Sequence, residues 1–319
     1  VMIYSIKGKK VWVAGHAGMV GKAIVRRLNT EECKIISCDR KQIDLRRQHE
    51  VELWVKKHKP DAIIIAAATV GGIKANDNNP AKFLYDNLMI EANIIHSAHT
   101  ENVSKLMMLG SSCIYPKYAP QPICENDMLS GPLEKTNQWY SIAKISGVML
   151  CQAYREEYGN DFISVMPTNL YGPGDLFNEK NSHVIPALLM RFDEAKVTGQ
   201  KSVTVWGSGN PRREFLYSDD LADAVIHSLK NYSDFEPLNI GSGKDISIAD
   251  LSKIIAGVVG FKGKILFDSS MPDGTPRKLL NSERLSQIGW KPKITLQEGL
   301  LKTFLWYKKV QSEGLLRVK

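Results

Sequence analysis

The sequence predicts an α/β protein: a doubly wound, parallel Rossmann-type sheet carrying a smaller C-terminal mixed α/β lobe. Three features predict it. Short apolar runs alternate with longer amphipathic stretches through the first two-thirds of the chain, a glycine-rich turn joins the first run to the first amphipathic stretch, and the pattern changes after Gly172.

Taken in order, the runs KKVWVAG (9–15), KIISCD (34–39), AIIIAAA (62–68), KLMMLGSS (105–112) and FISVMPTNLYG (162–172) are apolar throughout instead of alternating. Strands of that kind are covered on both faces, as in a parallel sheet. Between them, residues 19–30, 46–59, 80–101 and 137–158 repeat apolar side chains at i, i+3 and i+4, the period of a helix with a buried stripe. Beyond Gly172 the segment YGPGDLFNEKNSHVIP is dense in Pro, Gly, Asn and Asp and reads as a loop into a different substructure. Helical periodicity returns at 218–230, and PLNIGSG (237–243) reads as a strand that rejoins the sheet. We expect one domain over 1–172 completed by 215–243, and a second over 173–214 and 244–319. Ligands of open parallel sheets bind beyond the carboxyl ends of the strands, so residues 15–21, 39–40, 66–72, 111–115 and 167–172 should converge on one cleft.

The 319 residues are 43% hydrophobic and 24% charged, which excludes collagen-like, disordered and supercharged classes. Five cysteines (Cys33, Cys38, Cys113, Cys124, Cys151) with no C-x-x-C pair argue against a disulfide framework and a zinc ribbon, so no metal is expected. No apolar run approaches the ~18 residues that span a bilayer, and VMIYSIKGKK lacks the apolar core of a secretion signal. Val1 ahead of Met2 is set aside as an added residue, and a cytoplasmic location is expected. The net charge of +8 is scattered, with Lys56, Lys57 and Lys59 on a solvated helix face, and no nucleic-acid-binding pattern accompanies it. An anionic small molecule suits that charge.

GHAGMVG sets Gly15, Gly18 and Gly21 at G-x-x-G-x-x-G spacing between strand and helix, where absent side chains let a pyrophosphate approach a helix N-terminus. The spacing favours the short-chain dehydrogenase variant of the motif. Asp39, at the end of the second strand, would accept from a ribose 2′-hydroxyl, but Arg40 and Lys41 follow at once and suit a 2′-phosphate, which favours NADP over NAD. Tyr140 and Lys144 stand four apart on one helix face, so the ammonium should stabilise a phenolate and pull the Tyr140 pKa below its ordinary ~10. In GSSCIYP, Ser111 or Ser112 at a strand end can hydrogen-bond the same carbonyl oxygen. Asp86 and Glu91 read as ordinary helix-surface charges.

GHAGMVG, AAATVGGI, GSSCIYP, YSIAK, VMPTNLYGP, NSHVIPALL, VWGSGNPRREF and PDGTPRKLL together resemble, over essentially the whole chain and in order, the GDP-fucose synthases. These are the GDP-4-keto-6-deoxymannose 3,5-epimerase-4-reductases of the extended short-chain dehydrogenase/reductase superfamily. GSSCIYP and NSHVIPALL are the motifs most specific to the family. The resemblance implies a homodimer, paired through helices 80–101 and 137–158, that epimerises carbons 3 and 5 of a GDP-4-keto sugar and then reduces carbon 4 with NADPH. It implies Ser111, Tyr140 and Lys144 as the relay, with Cys113 and His183 as acid and base on the two ring faces. NADP would be held by Gly15, His16, Gly18, Met19, Val20 and Gly21 in the first turn, and by Arg40, Asp44 and Leu45 after the second strand. Ala67, Leu109, Gly110, Ser112, Lys144, Pro167, Asn169, Leu170 and His183 would complete that site. Arg191, Trp206, Arg213 and Asp273, with Lys278 less firmly, would hold the GDP-sugar.

Two rivals keep the same motifs. A sibling could act on a GDP-linked 3,6-dideoxyhexose or 6-deoxyheptose ketone, and a nucleotide-sensing regulator could retain the dinucleotide fold without turnover. Retention of Ser111, Cys113, Tyr140, Lys144 and His183 together argues against the regulator.

Overall fold

The computed structural model describes residues 3–178, 182–271 and 273–316. In chain order the first half runs β1 (Lys10–Ala14), α1 (Met19–Leu28), β2 (Lys34–Ile36), α2 (Gln48–His58), β3 (Ala62–Ile65), α3 (Ile73–Asn78), α4 (Pro80–Thr100) and β4 (Lys105–Leu109). It continues through α5 (Gln138–Tyr158) and β5 (Phe162–Pro167) to β6 (Asn169–Tyr171). The second half comprises α6 (Val184–Val197), β7 (Ser202–Trp206), β8 (Arg212–Tyr217), α7 (Ser218–Asn231), β9 (Leu238–Ile240), β10 (Asp245–Ser247) and α8 (Ile248–Val259). It ends with β11 (Lys264–Asp268), β12 (Arg277–Lys278), α9 (Glu283–Gln287) and α10 (Leu296–Ser312).

The central sheet has six strands in the order β2-β1-β3-β4-β5-β9, every pairing parallel. Its strands bury alternate residues into two different cores. Trp12, Ala14, Ile63, Ile65, Leu106 and Met108 pack beneath Val51, Ile94 and Val148 of α2, α4 and α5, whereas Val11, Val13, Ile64, Met107 and Val165 pack beneath Ile24 and Val225 of α1 and α7. This double burial is why the strand sequences are apolar throughout. The order reverses between β1 and β3, and there the turn after β1 touches the turn after β3: a Cβ on Gly15 would lie 2.5 Å from the Ala67 nitrogen.

The expected single strand over 162–172 is two strands. β5 stays in the central sheet, and after Thr168 the chain crosses so that β6 pairs with β8. A third core, with Phe177, Leu189, Phe192, Val205, Leu251 and Phe304, lies among α6, α8, α10 and strands β7 and β8. β8 is the hub of that lobe, pairing β10 antiparallel and β12 and β6 in parallel. Among the described residues no helix is long and apolar enough to cross a membrane.

Candidate active site

The glycine turn is closed tightly enough that only glycine fits. Gly15 has φ +92°, and a Cβ on Gly21 would lie 2.0 Å from the Gly15 carbonyl oxygen, so α1 packs directly on the turn. Gly18 precedes α1 as its N-cap and offers no side chain, which leaves the first-turn amides, those of Met19 and Val20 included, facing an open helix N-terminus. His16 Nδ1 is buried in this turn with no hydrogen-bond partner among the described residues. A diphosphate fits such a cradle.

β2 ends at Ile36, three residues short of Asp39. Asp39 does not end the strand as expected: its Oδ1 accepts from the Lys41 and Gln42 amides at 2.8 and 3.0 Å, so the carboxylate closes its own turn. That turn leaves Arg40 exposed. Downstream, Arg46 grips Asp44 through its Nε and Nη2 at 2.9 and 2.8 Å and holds its carboxyl down at about 2. Arg46 also reaches Asp86 at 3.1 Å, and Asn93 donates to the Leu45 carbonyl at 3.0 Å. Asp86 is thus buried, only 5% exposed, and the surface reading of it is corrected: α4 is covered by the loop before α2 as well as by the sheet.

The relay residues come from β4 and α5. After Leu109 the chain passes Gly110, where a Cβ would strike the Met166 sulfur at 2.5 Å, and then makes a short 3₁₀ turn, Ser112–Ile114. Ser111 accepts from the Cys113 amide at 3.2 Å, and its hydroxyl lies near enough to the Tyr140 phenol to favour the phenol's ionised form. Ser112 is buried. Lys144, one helical turn past Tyr140, sets its ammonium 5.8 Å from the centre of that ring and donates to the Leu109 carbonyl at 3.0 Å. The expected lowering of the Tyr140 pKa is overturned. Burial dominates, Lys144 opposes it, and the phenol is pushed up to about 12.

The reason lies on α4. Glu91 is 1% exposed, and its carboxylate lies 2.9 Å from the Lys144 ammonium, so it is no surface charge and the lysine is already compensated. Burial acts to lower the Lys144 pKa, but Glu91, then Tyr140, outweighs it and the net direction is up.

Cys113 faces the lobe. Asn137 donates to its sulfur at 3.4 Å, and the Lys278 ammonium of β12 stands 3.6 Å away. Lys278, expected less firmly among the residues that hold the GDP-sugar, therefore meets the thiol. Both line a small pocket with Lys117, Glu134 and Arg277.

The remaining candidates belong to the lobe. His183 precedes α6 as its N-cap; its ring reaches solvent, yet the surrounding protein withholds enough water to lower its pKa below the ordinary 6.5. Among the described residues no hydrogen bond or ring contact joins it to Tyr140 or Cys113. From the same helix the Arg191 guanidinium stacks 4.9 Å from the centre of the Trp206 ring. Asp273 accepts from the Ser208 amide and hydroxyl at 2.7 and 2.8 Å, and it lies close enough to Arg213 to support that half-buried guanidinium's charge. At the crossover, Asn169 donates to the Glu214 carbonyl at 2.8 Å, with half-buried Leu170 on the core and Pro167 ending β5. Sequence reasoning missed Asn137 and Glu91. Asn137 was findable, since it shares a helix face with Tyr140 and Ser141.

Residues 11–241 match the NAD dependent epimerase/dehydratase family. The chain is 58% identical over 302 residues to a GDP-L-fucose synthase from Sinorhizobium fredii, covering 95% of this chain and 96% of that one. It is 49% identical over 309 residues to the GDP-L-fucose synthase of Escherichia coli, covering 94% and 96%. A solved structure of a GDP-L-fucose synthetase from Naegleria fowleri bound to NADP superposes with a TM-score of 0.88 at 28% identity, covering 98% of this chain and 97% of that one.

Proposed function

The chain belongs to the NAD dependent epimerase/dehydratase family, and from that premise we propose how its residues carry out the conversion of GDP-4-keto-6-deoxy-D-mannose to GDP-L-fucose. The protein is an NADP-dependent epimerase-reductase. The observation that carries our assignment of roles is the convergence of Ser111, Cys113 and Tyr140, from two different elements, with Lys278 brought to the same sulfur from the lobe.

In a 4-keto sugar the protons on carbons 3 and 5 are acidified by the adjacent carbonyl. Tyr140 and Ser111 donate to the carbonyl oxygen and stabilise the enolate that forms when either proton leaves. Cys113 and His183 exchange those protons on opposite ring faces, with Lys278 and Asn137 placed to meet a negative charge on sulfur. After inversion Tyr140, held as a phenol by its burial, gives its proton to the carbon-4 oxygen. When bound, NADPH would supply the hydride that carbon 4 receives. The glycine turn from Gly15 to Gly21 would cradle its diphosphate and Arg40 would take the 2′-phosphate. Arg191, Trp206, Arg213 and Asp273 hold the GDP moiety.

We further assign residues 1–172 with 215–243 to NADP binding and 173–214 with 244–319 to substrate binding. A homodimer pairs α4 and α5, which expose Tyr85, Trp139, Ile142 and Met149. The enzyme works in the cytoplasm, a reading supported by five free cysteines. The direct test is loss of NADPH absorbance on addition of GDP-4-keto-6-deoxymannose, with the product sugar identified. No oxidation with that substrate would overturn the reading.

A further inference from the structure

A carboxylate rarely sits in a protein core with so few polar contacts as Glu91 has among the described residues. It lies in the middle of α4, 1% exposed, and neither carboxylate oxygen has a well-directed hydrogen bond among the described residues. The Lys144 ammonium lies 2.9 Å away and is itself almost fully buried. The space for it is built on purpose by the adjoining helix: a Cβ on Gly147 of α5 would fall 2.5 Å from Glu91 Oε2. Such a carboxylate costs stability and gives little back as structure, so its value has to lie in what it does to Lys144.

We propose that Glu91 is a positioning residue of the proton relay: it pins the Lys144 ammonium beneath Tyr140 and balances its charge, so that Tyr140 is kept as the phenol that donates to the carbon-4 oxygen. An uncompensated ammonium at that place would favour phenolate, which suits proton removal from an alcohol. A reductase needs the reverse. With Glu91 beneath it, the lysine orients the tyrosine without stripping its proton. The groups that act on this trio are few. Ser111 and Cys113 face Tyr140 from the turn after β4, Lys144 and Cys151 face Glu91 from α5, and β4 contributes the Leu109 carbonyl.

This proposal rests on the reading of Tyr140 as the donor, and the test separates the two. Wild type and Glu91→Gln are compared for NADPH oxidation with GDP-4-keto-6-deoxymannose across pH, with thermal melting of each recorded. Glutamine keeps the shape and removes the charge, so the alkaline limb of kcat should move to lower pH by about one unit or more, while KM for the sugar stays within about twofold. The sign follows from the charge: with Lys144 uncompensated, Tyr140 loses its proton at lower pH, and reduction fails where the phenol is gone. Glu91→Asp keeps the charge but widens the gap to Lys144, and it should shift the limb in the same direction by less; it decides the question if the glutamine variant does not fold. A limb unmoved in a folded variant, whatever its melting temperature, overturns the role of Glu91. Absence of turnover in the wild type would instead sink the underlying assignment.

Discussion

The Lys278 ammonium and the Cys113 sulfur stand 3.6 Å apart although 165 residues separate them in the chain. If Lys278 serves the thiol, Lys278→Met should slow deuterium exchange at carbons 3 and 5 by about 10–100-fold at saturating substrate, the worth of a charged hydrogen bond of roughly 1.5–3 kcal/mol. A phosphate ligand would behave differently: KM for the GDP-sugar would rise while exchange at saturation stayed intact.

Arg40 is exposed in the turn that Asp39 closes. Arg40→Ala should weaken NADPH by roughly 1.5–3 kcal/mol and NADH little, because only NADPH carries the 2′-phosphate. Fluorescence titration of both cofactors checks it, and equal losses would contradict the role.

Tyr140→Phe should lower the rate of reduction by about 10²–10⁴-fold while NADPH affinity stays nearly intact. Because burial holds the phenol up at about 12, wild-type reduction should persist well into alkaline pH. Turnover within tenfold of wild type in the variant would require another donor.

The Glu91–Lys144 pair also makes a stability prediction. Lys144→Met strands a buried carboxylate and should cost about 3–5 kcal/mol, whereas Lys144→Met with Glu91→Leu removes both charges and should recover most of that loss. Urea unfolding of the single and double variants gives the answer; no recovery in the double variant would mean that the two charges do not compensate each other.

Much of this was legible in the sequence, and the remainder was hidden for physical reasons. The strands of the central sheet are short, apolar runs because both faces are buried, so they announce themselves, and the glycine turn and Tyr140–Lys144 pair lie within single local segments. The break at Thr168 is not local: β6 leaves the sheet because β8, more than forty residues on, offers it an edge. Asp86 and Glu91 look like surface charges because helical periodicity marks one apolar stripe, whereas α4 is enclosed by the sheet, α5 and the Arg46 loop together. The Tyr140 pKa went the other way from expectation because burial cannot be read from spacing four.

The central claim is that this chain inverts two carbons before it reduces a third, with Cys113 in the proton exchange. Wild type and Cys113→Ser are turned over in D₂O with NADPH and GDP-4-keto-6-deoxymannose, and the product sugars are examined by mass spectrometry. The wild type should yield GDP-L-fucose carrying solvent deuterium at carbons 3 and 5, and Cys113→Ser should oxidise NADPH slowly to an unepimerised GDP-6-deoxyhexose without that label. Full deuterium incorporation by Cys113→Ser would show that the thiol takes no part in the proton exchange.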